Sequence, residues 1–240
     1  ASIESNVKSA IDCIWDWKRD IVVSRRPTMS SIYSNTKSER VRKNIQAWLD
    51  DQGIYPKDNS SDEYSFYAEI AYPLADDRNK YFQSLFENAK PSLGYHIISF
   101  MSELNVFKSV WTTNFDGLME KCAHLYNLMP IPIATNSIDR FYKTNSKNEL
   151  FIVPLHGDYK FGKLKNTASE LDSQNDEYVK ALSFDLTDKD LIVIGYSGRD
   201  VSLMTALKSA YLNRGAGRLF WCGYGNKAST QVENLIDYIN

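Results

Sequence analysis

The stretch SVWTTNFDGLMEKCAHL, residues 109–125, joins a strand-like run to a helix-like one. Phe107, Val110 and Trp111 belong to an apolar, β-rich segment that stops at Thr112 and Thr113, and Leu118 to Leu125 read as a helix. Asn114 and Asp116 stand between the two. Asn and Asp are good helix N-caps, because their side-chain oxygens satisfy free N–H groups of the first turn. The carboxyl end of a strand in an open α/β sheet is also where such folds bind ligands. Taken alone, this stretch favours capping.

The runs around it repeat the pattern. Residues 105–113, 150–156 (LFIVPLH), 191–197 (LIVIGYS) and 218–224 (RLFWCGY) are short, apolar and continuous, as strands buried on both faces are. Helix-like segments lie near 115–126, 170–182, 200–212 and 228–239. Strands alternating with helices predict an α/β fold, a Rossmann-like parallel sheet with flanking helices.

The first half reads helical. Ala10, Ile14, Trp17 and Ile21 share one face, as do Val41, Ile45 and Trp48, with Gly53 as a stop. Residues 62–74, 76–90 and 91–104 make three more helices, the second opening on acidic residues. The expectation is one domain over 1–240, with an all-helical insertion or cap at about 30–90. Trp15, Trp17, Trp48, Tyr64 and Tyr67 read as the core of that helical part, and His96 and His124 as structural residues inside helices.

The balance of 28 basic against 30 acidic residues, net charge −2, gives no electrostatic case for nucleic acid or an anionic membrane. Cys13, Cys122 and Cys222 are scattered, with no CxxC pair, so no zinc site or disulfide framework is legible. No apolar run is long enough to span a bilayer and no secretory signal is present, so a cytoplasmic setting and no direct membrane binding are expected.

The chain opens ASIESN without Met, and its first legible element is a helix. A doubly wound sheet normally starts with a strand whose following turn carries glycines that cradle a pyrophosphate. A glycine-rich strand is therefore expected upstream of Ala1, and more chain is expected after QVENLIDYIN, making this a piece of a longer protein.

Three strand ends carry polar groups: Thr112 to Asp116; His156, Gly157 and Asp158; and Gly195, Ser197, Gly198 and Asp200. Carboxyl ends of parallel strands share one edge, so these groups converge on one crevice, which capping explains poorly. A lone His after a strand is more often structural than a base. Gly157 and Asp158 tilt His156 toward function, since glycine permits close approach of a ligand and a carboxylate can orient an imidazole.

TTNFDGLMEKCA, LHGD and GYSGRD, in that order, resemble the sirtuin-type domain, in particular its bacterial NAD-hydrolysing branch found in anti-phage defence proteins. Residues 1–21 resemble the segment just after that family's glycine-rich opening. The resemblance covers most of the chain outside 30–90. It implies that NAD is cleaved to nicotinamide and ADP-ribose as a substrate, with no metal. Asn114 would hold the ribose hydroxyls or the attacking water, and His156 would be the general base. Asp116 would contact the nicotinamide end, with Thr113 beside it. Ser2, next to Ala1, would join Gly195 and Ser197 on the phosphates or adenosine ribose. The last strand, ending WCGYGN, departs from the deacylase pattern, leaving Gly223 and Tyr224 as the adenosine-side candidates.

The resemblance also implies control by a homo-oligomer or by an activating partner protein or domain, with nucleic acid engaged only through other domains or subunits. Two other readings compete: a non-catalytic module that senses NAD or ADP-ribose, and a protein deacylase. The absent four-cysteine zinc module disfavours the deacylase.

Overall fold

A computed structural model describes residues 10–60, 63–114, 116–133, 135–143, 146–155, 157–158, 163–164, 175–198, 200–212, 216–223 and 228–239. The chain divides into two compact units, Ser2–Lys90 with Asp158–Glu170, and Pro91–Gly157 with Leu171–Asn240.

In the first unit the helices are α1 (Ala10–Arg25), α2 (Glu39–Gln52), α3 (Glu63–Ala71) and α4 (Ala75–Phe86). Gly53 ends α2 in the left-handed conformation at φ 69, where its N–H reaches the Asp50 carbonyl. Asp76 and Asp77 occupy the first turn of α4, where the helix dipole favours negative charge. The buried face of α1 is rotated from the expected one. Cys13, Trp15, Trp17, Lys18 and Val22 are buried, whereas Ile14 and Ile21 are only half-buried. Periodicity misplaces the face because it counts Lys18 as polar. Its ammonium group is paired with Glu63, lies 3.2 Å from Asp58 Oδ1, donates to Gln46 Oε1 at 2.7 Å, and sits 4.1 Å from the Trp15 ring centre. A buried charge is tolerable only when paired and hydrogen-bonded in this way. Trp15, Trp17 and Tyr67 are core residues of this unit, as expected.

The second unit holds the sheet and its helices. Strands β1 (Ser109–Thr112), β2 (Met129–Pro132) and β3 (Glu149–Pro154) pair in parallel in the order β1-β3-β2. The short strand β4 (Gly157–Asp158) follows in the chain at the boundary of the units, and β5 (Lys163–Leu164) belongs to the first unit. Strands β6 (Leu191–Ile194) and β7 (Leu219–Cys222) form a separate parallel pair. The helices are α5 (Leu93–Glu103), α6 (Leu118–Ala123), α7 (Asn175–Asp185), α8 (Val201–Leu212) and α9 (Thr230–Ile239). The domain is mixed α/β with parallel pairing and flanking helices, a Rossmann-like arrangement.

Strand β2 was not expected, because Pro130 and Pro132 argue against a central strand. It lies at the end of the strand order and, among the described residues, is bonded to β3 alone. Met129 N–H donates to Asn148 O and Ile133 N–H to Ile152 O, both at 2.8 Å. That phase turns positions 130 and 132, which carry no N–H, to the unpaired side. A short 3-10 segment, Thr135–Tyr142, also escaped the sequence pattern. His124 lies in a 3-10 turn after α6 and not in a helix proper, while His96 is within α5 and its Nδ1 lies 3.1 Å from the Tyr126 hydroxyl.

β3 is buried on both faces, as a continuous apolar run predicts. Phe151 and Val153 join Ile131, Ile133 and Phe141 on one side, while Leu150 and Ile152 join Met119, Ala123 and Leu128 on the other. β6 and β7 depart from that expectation. Leu191, Leu219 and Trp221 pack against Leu182, Leu207 and Leu235, but Ile192 and Ile194 on the opposite face are 43% and 63% exposed.

The carboxylate of Asp185, buried at the end of α7, fastens that helix to β1. It accepts from Trp111 Nε1 at 2.8 Å, Ser109 Oγ at 2.5 Å and Lys189 Nζ at 2.6 Å. Ser109 and Trp111 alternate along the strand, so both reach the same face. Removing the carboxylate strands a half-buried indole N–H and a hydroxyl. Asp185→Ala should therefore lower the unfolding free energy by about 2–4 kcal/mol, read from urea denaturation. A loss below ~0.5 kcal/mol would show that α7 is held by its apolar contacts alone.

Candidate active site

β1 ends at Thr112, whose register partner in β3 is Pro154, and Leu155 N–H donates to Thr112 O at 2.8 Å. The two chains therefore leave the sheet on one edge. A cleft of about 200 Å³ opens there, between the end of β1 and the length of β6. Thr113, Asn114, Leu155, Gly195 and Tyr196 line its polar end, and Trp111, Leu182, Leu203 and Leu207 its apolar wall. Three of the residues singled out in the sequence, Thr113, Asn114 and Gly195, thus share one cavity.

Asn114 is exposed, and Asp116 is half-buried. The capping question has a divided answer. Asp116 serves the helix start from the position before its N-cap, Gly117: its Oδ1 accepts from Leu118 N–H at 2.9 Å, in the first turn of α6. Asn114 does not cap α6. Its own N–H turns back to Thr112 Oγ1 at 3.0 Å, and its Nδ2 donates to the Tyr95 hydroxyl at 2.9 Å. That hydroxyl in turn donates to Asp116 Oδ2 at 3.0 Å. Tyr95, in the first turn of α5, was missed by sequence reading. PSLGYHIIS shows a helix start and gives no sign that its tyrosine reaches the β1 end.

The electrostatics of this group follow from burial. Desolvation raises the Asp116 carboxyl above its ordinary value, partly offset by the Leu118 N–H, the Tyr95 hydroxyl and Lys121. Burial, and then the charge of Asp116, push the Tyr95 phenol well above its ordinary value. Tyr95 therefore keeps its proton at every physiological pH and can donate to Asp116.

The loop GYSGRD connects β6 to α8. Gly195 and Gly198 both have positive φ, 70 and 75. Asp200 Oδ1 caps α8 by accepting from Leu203 N–H at 3.1 Å, and Asp200 N–H donates to the Tyr196 hydroxyl at 3.2 Å. Ser197 is exposed, outside the cleft lining, and its carbonyl accepts from Ser229 Oγ at 3.0 Å. Gly223 is exposed just after β7 and does not line the cleft. Ala1, Ser2, His156 and Tyr224 lie outside the described residues.

Residues 108–239 match the model of a family described as the SIR2-like domain. The match spans more than half of the chain and includes the β1 end, the cleft and the β6 loop. The chain belongs to the SIR2-like domain family. It is also 30% identical over 108 residues, 42% of its own length, to a protein of Bacillus cereus (strain MSX-D12) named NAD(+) hydrolase ThsA. The chain spans 22% of the length of that curated relative. Among the described residues, no group of three His, Cys, Asp or Glu could hold a metal ion, and no helix is long and apolar enough to cross a membrane.

The two glycines of the loop make a paired test. An added Cβ at Gly198 would meet Val232 Cγ2 of α9 at 2.7 Å, whereas at Gly195 it would meet nothing within 4 Å. A left-handed non-glycine residue costs of order 1–3 kcal/mol by itself. Gly198→Ala should therefore destabilise more than Gly195→Ala, by an extra ~1 kcal/mol or more for the overpacked helix contact. Equal melting temperatures for the two variants would contradict this packing of α9 on the loop.

Proposed function

We propose that this SIR2-like domain hydrolyses the N-glycosidic bond of NAD, releasing nicotinamide and ADP-ribose. The observation that carries the reading is the exposed Asn114 carboxamide, held at the β1 end in the cleft that Thr113 and Gly195 also line. The similarity to a protein named NAD(+) hydrolase supports the same chemistry.

The C1′–N bond breaks with its electron pair passing to the nicotinamide ring nitrogen. The pyridinium is cationic beforehand, so its departure needs no acid. C1′ develops oxocarbenium character, a water oxygen bonds to it, and the water's proton passes to a base. We assign that base to His156, since an imidazole with a pKa near ~6.5 accepts a proton at neutral pH. Asn114 offers both a donor and an acceptor, which ordering a ribose hydroxyl or the water requires. In the same proposal Thr113 and Asp116 serve the nicotinamide end, and Ala1, Ser2, Gly195 and Ser197 the phosphates or adenosine ribose. Gly223 and Tyr224 are its candidates for the adenosine side. We extend the proposal to draining of NAD in anti-phage defence, held off until an assembly or partner triggers it.

Nicotinamide release by the triggered protein and its variants tests this. Asn114→Ala should melt close to wild type, because the side chain is exposed, yet lose most NAD cleavage. His156→Ala should lose a factor of about 10² or more, the contribution of a general base. If both residues serve one step, the double variant should be little worse than either single one. Near-wild-type turnover in either single variant removes that residue from the mechanism. Deacylation of an acetylated peptide with no NAD cleavage in its absence would replace the proposal with a deacylase.

A further inference from the structure

We infer that Tyr95 is a positioning residue that fixes which way the Asn114 carboxamide faces, taking one amide hydrogen so that the oxygen is turned toward the cleft. The inference rests on the proposed NAD chemistry for its consequence and on hydrogen-bond directions for its substance.

Those directions are forced from one end. Asp116 Oδ1 is engaged by Leu118 N–H, so the carboxylate is oriented by the backbone of α6. An ionised carboxylate only accepts, and its Oδ2 lies 3.0 Å from the Tyr95 hydroxyl oxygen. The single phenolic hydrogen is therefore spent on Asp116. What remains on the phenol is an acceptor, and Asn114 meets it at 2.9 Å. Only the Nδ2 side of a carboxamide can satisfy an acceptor, so Oδ1 must take the other direction. A chain of three hydrogen bonds, from Leu118 N–H through Asp116 and Tyr95, thus determines the face that an exposed asparagine shows. Among the described residues Tyr95 is the partner of the carboxamide, and without it the amide can turn over and offer donor and acceptor indifferently.

An oriented acceptor suits a group that must hold a hydroxyl or a water whose oxygen is being directed at C1′, since it takes the hydrogen and leaves the oxygen lone pair free. A donor in the same place would occupy that lone pair. The arrangement assigns Asn114 the acceptor's role.

Two substitutions read this out differently from loss of structure. Tyr95→Phe deletes the hydroxyl while keeping the ring packed against the core cluster around Met119. Asp116→Asn keeps an oxygen for Leu118 N–H but turns an amide hydrogen toward Tyr95. The phenol must then give its hydrogen to Asn114 Oδ1, which reverses the carboxamide. Both variants should fold, and both should lower kcat for nicotinamide release at least tenfold, with KM changed less than threefold in Tyr95→Phe, which loses no group assigned to substrate. Tyr95→Phe added to Asn114→Ala should cause no further loss, as expected for residues acting as one unit.

The side-chain amide resonances of Asn114 provide a reading that does not depend on turnover. In wild type one N–H should be shifted and protected from exchange, and in Tyr95→Phe the protection should vanish. Wild-type protein that cleaves no NAD when triggered, yet shows the protected amide lost in Tyr95→Phe, would overturn the hydrolase proposal and uphold the positioning role. Unchanged Asn114 resonances in Tyr95→Phe, or wild-type kcat in Asp116→Asn, would overturn the positioning role itself.

Discussion

The parallel pairing of Ser109–Thr112 with Glu149–Pro154 carries the site, because it brings both chains out of the sheet on the same edge. Parallel strands cannot be joined by a tight turn, so the chain must cross over between them. Here the crossover is α6, β2 and the 3-10 segment Thr135–Tyr142, and its apolar groups cover both faces of β3. The pairing is braced from outside by Asp185, whose buried carboxylate takes two donors from β1. Trp111 does double duty in that brace. Its indole packs between the cluster around Phe141 and Phe151 and the cluster around Leu182 and Leu207, while its N–H is spent on Asp185.

At the polar end of the cleft, Asn114 and the neighbouring Asp116 differ in how firmly they are held. Asp116 is half-buried, with both oxygens engaged and its carboxyl raised by desolvation, which suits a fixed acceptor. Asn114 is exposed and, among the described residues, tethered through one side of its carboxamide. Two residues of similar shape, two positions apart, therefore differ in freedom because one starts a helix and the other ends a strand. A site needs both, since a group that touches substrate is precise only when a second layer fixes its rotamer.

Much of this was legible in the sequence, for identifiable reasons. Alternating apolar runs and helical periods predicted β1, β3, β6 and β7 with their neighbouring helices, because burial on a parallel sheet leaves continuous hydrophobic strands. Polar residues at strand ends led to Thr113, Asn114 and Gly195, which do share a cleft. Other features were hidden where the pattern conflicts with its tertiary use. Pro130 and Pro132 masked an edge strand whose prolines face away from the ladder. Lys18 looked like a solvent-facing position, but its charge is met inside the helical unit by Glu63 and Asp58. The alternation of exposed Ile192 and Ile194 with inward Leu191 and Val193 cannot be read from LIVI, where every residue is apolar. Tyr95 was invisible for a different reason, since its partners are 19 and 21 residues away along the chain.

The central claim is that the β1 end is where NAD is bound for cleavage. A crystal structure of the Asn114→Ala variant with NAD tests it most directly, because slowed turnover lets intact substrate accumulate in the site. The nicotinamide ribose is expected beside position 114, within hydrogen-bonding distance of where the missing carboxamide would reach, and in the cleft lined by Thr113 and Gly195. NAD bound elsewhere on the domain, with that cleft empty, would contradict it.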